Sequence, residues 1–282
     1  IFNWSFFIRK ILANKKDDRL MKFISIAKYP GTMGKIIFNS AFKKLNIKAT
    51  YTPIQKKKLN NFRAYLKKKG ISGSGISMPF KEKIINHLDV SDISVIKTNS
   101  CNTITFHNQI IKGYNTDTLG IEKLLKIKNI SKKLIIYIFG AGGYSRSFYE
   151  ALSNLKFKKI FVINKSKKRF NSWPNKIKIK QIIKFPNKPT DNIIINATPI
   201  GMKQIKKREF LSKLNLSKTK YYFECVVNPR LTNNILIAKK NNINIVYGHE
   251  ISIEQALIQL KLYVNKKISR TFIKRKLNKI TK

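Results

Sequence analysis

Short apolar runs alternate along this chain with longer stretches whose apolar residues recur at helical spacing, a pattern that predicts α/β layers. Residues 23–27 read as a strand and 34–45 as a helix, with Ile36, Ile37, Ala41, Phe42 and Leu45 on one face. A strand at 48–52 and a helix at 60–69, stopped by Gly70, come next. Residues 71–77 are extended, and the glycines among them point to close approach by other backbone. Residues 103–106 and 110–112 read as a hairpin around His107, Asn108 and Gln109. A second unit opens near Leu119 with a linker helix at 120–128. The continuous apolar run 134–139 reads as a strand buried on both faces. A helix at 144–155, a strand at 159–163 and short strands at 193–195, 222–226 and 244–246 follow. The last stretch, 252–263, is a helix that gathers Ile253, Ala256, Leu257, Leu260 and Tyr263 on one face. At 282 residues and 43% hydrophobic, the chain has material for two domains with real cores.

Chemistry-bearing residues fall at the joints of this pattern. The strand at 134–139 runs straight into Gly140-Ala141-Gly142-Gly143, and a helix begins at Tyr144. That is the order a dinucleotide site demands. Gly140 permits the tight turn, Gly142 lets backbone approach a pyrophosphate, and the helix N-terminus offers free N–H groups. Ser145 stands where a third glycine often sits. A carboxylate for the ribose 2′-hydroxyl of NAD is missing from Ile163-Asn164-Lys165-Ser166-Lys167-Lys168-Arg169, at the end of the next strand. Lys165 and Ser166 suit a 2′-phosphate instead, so the expected cofactor is NADP(H). Further upstream, Ser77-Met78-Pro79-Phe80-Lys81 ends in a lysine and Tyr114-Asn115-Thr116-Asp117 in an aspartate. A Lys–Asp couple can take or give the proton that a carbinol exchanges when it loses or gains a hydride. If these pieces converge, the protein is a nicotinamide-dependent dehydrogenase.

Charge is the anomaly. Lys+Arg is 59 against Asp+Glu 13, a formal net of +46. Such a field draws in anions and is common in nucleic-acid binders. Yet 50 of the cations are lysine and 9 arginine, whereas base and phosphate forks lean on arginine. The lysines are also spread over the whole chain. The excess is therefore read as compositional drift plus solvated surface, with no specific nucleic acid as partner. Cys101 and Cys225 make no disulfide framework, and they form no metal spacing with His87, His107 and His249. No metal is expected, and a reducing, cytoplasmic setting fits. No segment approaches the ~20 apolar residues of a membrane span. Residues 1–20 read as an N-terminal extension, with the folded part starting at Met21.

Six segments in register resemble shikimate dehydrogenase. They are Ile76-Ser77-Met78-Pro79-Phe80-Lys81, Cys101-Asn102-Thr103, Asn115-Thr116-Asp117, Gly140-Ala141-Gly142-Gly143, Asn196-Ala197-Thr198-Pro199-Ile200-Gly201-Met202, and Gly248 with Gln255-Ala256. The resemblance runs from about Met21 to the C-terminus, and the Ser-Met-Pro-Phe-Lys variant looks like a divergent shikimate dehydrogenase-like branch. It implies a Rossmann-type NADP domain at 119–248. A discontinuous α/β substrate domain at 21–118 is completed by C-terminal helices at 249–282, with the substrate in the cleft between. It implies Lys81 and Asp117 as the catalytic pair, and Thr32, Ser77, Asn102 and Gln255 as substrate contacts. Gly140, Ala141, Gly142, Gly143, Tyr144, Asn164, Lys165, Ser166, Thr198, Met202 and Gly248 would hold the cofactor.

The implied reaction is reversible hydride transfer between NADPH and 3-dehydroshikimate in aromatic amino-acid biosynthesis, by a monomer or homodimer. Quinate or a related hydroxy acid is the alternative substrate, and a basic nucleic-acid-binding protein the non-enzyme alternative. Three departures bear on substrate choice. Thr32-Met33-Gly34 stands where the family usually carries Ser-x-Ser, Gly75 where asparagine is common, and Val227 where tyrosine is common. Lost polar contacts lower discrimination between substrates.

Overall fold

The computed structural model describes residues 20–174, 180–182, 185–187 and 190–278. The expected extension at 1–20 lies outside them except for Leu20, as do the last four residues of the expected C-terminal helices. The first part of the chain comprises β1 (Met21–Ala27), α1 (Met33–Lys44), β2 (Ala49–Gln55), α2 (Phe62–Lys69), β3 (Ile71–Ile76), β4 (Val90–Ser91), α3 (Ile93–Thr98), β5 (Thr103–His107) and β6 (Ile110–Tyr114). Its strands form a six-stranded sheet in the order β2-β1-β3-β5-β6-β4. Strands β2, β1 and β3 are parallel, and the β5–β6 hairpin adds to β3 antiparallel. Asn108 and Gln109, both at positive φ (48° and 63°), make the two-residue turn that matches the twist of the hairpin. Gly70 caps α2 at φ 60°, as the sequence predicts.

Helix α4 (Thr116–Ile127) leads to a second sheet. This comprises β7 (Ile135–Phe139), α5 (Gly143–Asn154), β8 (Ile160–Ile163), β9 (Lys180–Ile182), β10 (Asn192–Asn196), β11 (Thr219–Glu224), α6 (Asn233–Lys240) and β12 (Asn244–Val246). All its strand pairings are parallel, in the order β12-β11-β10-β7-β8-β9. Counted within the sheet, that is the doubly wound dinucleotide-binding order, which reverses direction between its first and fourth strands, β7 and β10. The chain ends in α7 (Gly248–Val264) and α8 (Arg270–Asn278).

These last two helices pack back on the first sheet. Ile253, Ala256, Leu260, Tyr263, Ile273 and Leu277 share a core with Phe23, Phe38, Phe42 and Tyr51. The Tyr263 ring stacks on Phe23 at 4.4 Å between centroids. The second core gathers β7, β8 and β10 with α4 and α5, through Ile136, Ile138, Val162, Ile193, Ile195, Leu124 and Phe148.

The sequence reading needs correction at several elements. Helix α4 begins at Thr116, ahead of the expected 120, because Asn115 caps it: its side chain accepts from the N–H groups of Asp117 and Thr118. Asp117 is therefore inside the first turn rather than before it. The strand expected at 222–226 is β11 at Thr219–Glu224. Strands β4 and β9 and helices α3 and α6 had no clear signal; all are short, and the apolar residues of α6, Ile235 to Ala238, stand side by side and so show no period.

Helices α4 and α7 cross where Gly120 meets Gln255. A Cβ on Gly120 would sit 2.7 Å from the Gln255 backbone nitrogen and 2.9 Å from its Cα. A helical Gly→Ala change ordinarily gains about 1 kcal/mol, but overpacking against fixed backbone costs about 1–3 kcal/mol. Gly120→Ala is expected to destabilise the protein by up to about 2 kcal/mol, read as a lower urea midpoint with unchanged slope.

Candidate active site

Strand β3 and hairpin β5–β6 deliver their ends to the N-terminus of α4. Lys81 Nζ lies 2.6 Å from Asp117 Oδ2, with side-chain exposures of 18% and 6%. The other Asp117 oxygen accepts from Asn102 Nδ2 at 2.8 Å. Asn102 Oδ1 accepts in turn from the Thr116 N–H at 2.8 Å and from the hydroxyls of Thr103 and Thr116 at 3.1 Å. Every polar atom of that amide end is engaged, so Asn102 cannot turn away without leaving buried groups unpaired. Asp117 also sits where the positive end of α4 favours a carboxylate. Gln255 on α7 reaches the same cluster, donating to Thr116 Oγ1 at 2.9 Å and to Gln259 Oε1 at 2.8 Å.

The glycine turn lies against this cluster. Gly140 has φ +108°, a conformation that favours glycine, and a Cβ there would meet Ala197 O at 3.0 Å and Thr198 Cγ2 at 3.1 Å. The ends of β7 and β10 thus touch at the point where the strand order reverses. Among the described residues, a Cβ on Gly142 would meet nothing within 4 Å and no side chain caps α5. The first turn of α5 therefore presents free N–H groups to open space, the setting that suits a phosphate. On the other side, a Cβ on Gly143 would sit 2.3 Å from Ser100 Oγ and 3.6 Å from Lys81 Cβ. The ring of Tyr144 lies 4.6 Å from Lys81 Nζ, within cation–π range. One turn of helix thus borders both the open cradle and the Lys81 ammonium.

The remaining expected residues surround this centre. Ala141 is buried, and its carbonyl accepts from the Trp173 indole at 3.1 Å. Thr198 is fixed by Asn196, whose Oδ1 accepts from the Thr198 hydroxyl at 2.6 Å and from its N–H at 3.1 Å. Met202 is half-buried, and its N–H donates to Pro199 O. Gly248 starts α7 against the end of β11, where a Cβ would meet Val226 O at 2.8 Å. Ser77 is exposed at the end of β3, tied to β1 by its N–H to Ile26 O, while the Lys28 N–H reaches Met78 O. Thr32 is exposed at the cap position of α1, and its side chain makes no capping bond. Asn164, Lys165 and Ser166 form the turn after β8, where Asn164 Nδ2 donates to Ser166 O at 2.8 Å and the Lys165 and Ser166 side chains face solvent.

Two of the sequence departures share one physical cause. A Cβ on Gly34 would lie 3.0 Å from Tyr51 Cε1, and one on Gly75 2.6 Å from the Tyr51 hydroxyl. A single buried tyrosine ring fills the room beside both glycines. Its hydroxyl bonds Ser25, and burial pushes the phenol well above its usual pKa. Burial likewise pushes the Cys101 thiol up to about 12, which makes it an inert core group.

Sequence reasoning passed over Glu224, at the end of β11. It is fully buried and accepts from Asn196 Nδ2 (2.8 Å), Tyr222 OH (2.9 Å), Val226 N (3.0 Å) and Thr232 Oγ1 (2.7 Å). It orders the two loops that border the cleft, and the spacing of its partners in the sequence gives no hint of that. Among the described residues no cluster of His, Cys, Asp and Glu could hold a metal, and no helix is long and apolar enough to cross a membrane.

The chain is similar to known proteins over most of its length. Residues 32–104 match the family model of the shikimate dehydrogenase substrate binding domain. Shikimate dehydrogenase (NADP(+)) of Methanosphaera stadtmanae is 30% identical over 247 residues, covering 81% of this chain and 85% of that protein. A shikimate dehydrogenase-like protein of Haemophilus influenzae is 27% identical over 256 residues, covering 90% and 93%. The crystal structure of shikimate 5-dehydrogenase from Thermus thermophilus in complex with NADP(H) and shikimate superposes with a TM-score of 0.79. It covers 92% of this chain and 99% of that one at 18% identity, a likeness that speaks to the fold alone.

The Gly143–Ser100 contact yields a test. Among the described residues Ser100 Oγ is buried without a hydrogen-bond partner, so Ser100→Ala alone is expected to change little. Gly143→Ala forces the turn away from Lys81 and is expected to lower turnover about 100-fold. In the Gly143→Ala/Ser100→Ala protein the nearest Ser100 atom to the new methyl becomes Cβ at 3.2 Å, so most of that loss is expected to return in steady-state assays.

Proposed function

The chain belongs to the shikimate dehydrogenase family, and we propose that it interconverts shikimate and 3-dehydroshikimate as an NADP-dependent oxidoreductase. The observation that carries this reading is the 2.6 Å pair of Lys81 and Asp117 beside the open, uncapped turn of α5. We assign 21–118 and 249–282 to a substrate domain and 119–248 to a cofactor domain. The separate sheets and the return of α7 and α8 onto the first core support that division.

The residues present fit the cofactor. The open space at Gly142, the positive φ of Gly140 and the free N–H groups of α5 suit a pyrophosphate. Lys165 and Ser166, exposed after β8 with no carboxylate between Asn164 and Arg169, suit a 2′-phosphate. When bound, NADP(H) supplies or accepts the hydride at the reacting carbon. Lys81 Nζ gives or takes the proton of the substrate hydroxyl, depending on direction. Asp117 holds the Lys81 ammonium in place through Oδ2, and Asn102 fixes the carboxylate through Oδ1. Gln255 and Ser77 offer hydroxyl contacts from α7 and β3, and Thr32 a contact for an acidic group. Thr198, Met202 and Gly248 would help hold the nicotinamide end of the cofactor.

A second reading is quinate or a related hydroxy acid as substrate. The filling of the space at Gly34 and Gly75 by Tyr51 favours it, because that wall of the cleft carries fewer side-chain donors than two polar residues would.

An absorbance assay for NADPH formation decides between these readings. Turnover of shikimate with NADP+ is expected, with at least about a tenfold loss when NAD+ replaces it. No turnover of shikimate together with turnover of quinate would overturn the first reading in favour of the second. Lys81→Ala and Asp117→Asn are each expected to lower kcat by about 10²–10⁴-fold. Unchanged kcat in either would remove the couple from the mechanism.

A further inference from the structure

Arg146, on the second turn of α5, is fully buried. Its guanidinium joins four segments of the chain. Nη2 pairs with Glu82 Oε1 at 2.9 Å and donates to Asn99 O at 2.9 Å, while Nη1 donates to Ser172 Oγ at 2.7 Å. Asn99 Nδ2 closes the ring by donating to Ser172 O at 2.9 Å. Each partner is a short step from a group given a role above. Glu82 follows Lys81, and Asn99 opens the turn Asn99-Ser100-Cys101-Asn102. Ser172 ends the 3-10 turn Lys167–Ser172 that follows Asn164, Lys165 and Ser166. Arg146 itself stands one turn beyond Gly143.

Stability alone gives little reason for a cation here. Removing a guanidinium from water costs several kcal/mol, and apolar groups of similar volume often pack as well as or better than a buried pair. Glu82 is itself 33% exposed, and Arg146 Nε has no hydrogen-bond partner among the described residues. Burial pulls the guanidinium below its usual pKa while Glu82 pushes it back up. What a planar fork supplies, and an apolar side chain does not, is direction: it sets several segments at fixed angles to one another. The same face of α5 adds two further ties. Gly143 packs on Ser100, and Asn115 Nδ2 donates to Ser147 Oγ at 2.9 Å, linking α5 to the residue that caps the helix of Asp117.

We propose that Arg146 is a positioning residue that fixes the glycine turn of α5 relative to Lys81 and Asn102, acting through Glu82 and Asn99. The proposal rests on the reading of Lys81 as the proton-transfer group and of the turn as the cofactor cradle. The first turn of α5 and the loops bearing Lys81 and Asn102 then behave as one rigid body, whatever other parts of the cleft do.

The test uses the full-length protein with Arg146→Lys, which keeps the charge and loses the fork, and Glu82→Gln, which keeps the shape and loses the ion pair. A misplaced reacting pair can cost about 100-fold. Arg146→Lys is expected to lower kcat about 30–100-fold, with KM for shikimate and NADP+ within about threefold. The double variant is expected to lose no more than Arg146→Lys alone, as for two members of one unit.

A second readout needs no turnover: labelling of Lys81 by acetic anhydride across pH, followed by peptide mass spectrometry. The Lys81 profile is expected to move in both variants, while that of distant Lys240 stays fixed. Wild-type kcat and a wild-type Lys81 profile, with only a lower melting temperature, would overturn the proposal and leave Arg146 a packing residue. If Arg146→Lys does not fold, Glu82→Gln supplies both readouts from a partly exposed site. If the wild-type protein turns over neither shikimate nor quinate, the proposed activity fails, and the labelling profile still decides the role of Arg146.

Discussion

A lysine ammonium and an aspartate carboxylate 2.6 Å apart, with little exposure to water, set the terms for the rest of this structure. Such a pair is worth its desolvation only when its spare lone pairs and protons are engaged and its geometry is held from several sides. The surrounding elements meet both needs. Asn102 takes the free carboxylate oxygen, Thr103 and Thr116 hold Asn102, and Gln255 reaches Thr116 from the far end of the chain. The ring of Tyr144 lies by the ammonium from the side of the glycine turn. Four separate stretches of sequence thus converge on one proton-bearing nitrogen.

The fold makes that convergence possible through two crossings. The doubly wound sheet reverses its strand order between β7 and β10, which opens a crevice at their C-terminal ends and places Gly140 against Ala197 and Thr198. Helices α4 and α7, which lead into and out of this sheet, cross where Gly120 touches Gln255. Residues beyond 248 are thereby carried back to the core of the first sheet, where Tyr263 stacks on Phe23. Close backbone approach at these glycines brings the glycine turn and the Lys81–Asp117 pair to the same region of the molecule.

Tyr51 packs against two glycines at once. Its ring fills the room beside both Gly34 and Gly75, so the two glycines and the tyrosine form one unit. A change at any one of them alone would leave a clash or a void. The network of Glu224 is a similar unit on the other side. A buried carboxylate with four donors fixes the loops after β10 and β11, so Thr198 and Val226 are placed by a residue that lies behind them.

Local pattern was enough for much of this. The alternation of apolar runs gave the α/β class, and Gly70 and the turn at Asn108 and Gln109 carried their own conformational reasons. The strand-to-glycine-turn-to-helix order at 134–144 was legible too, because a tight turn such as that at Gly140 needs glycine wherever it occurs. The Lys81–Asp117 couple was legible as chemistry, and its segments as a family resemblance. Position across the chain was not legible. Asn115 caps α4 ahead of its expected start, because the cap depends on which side chain the preceding strand aims at the free N–H groups. Short elements such as β4, α3 and β9 are held by neighbours rather than by their own period. Arg146 and Glu224 read as ordinary charged residues until burial and partners from distant segments gave them their places. Burial and the partner of a charge are properties of the assembled molecule, and only the tertiary structure decides them.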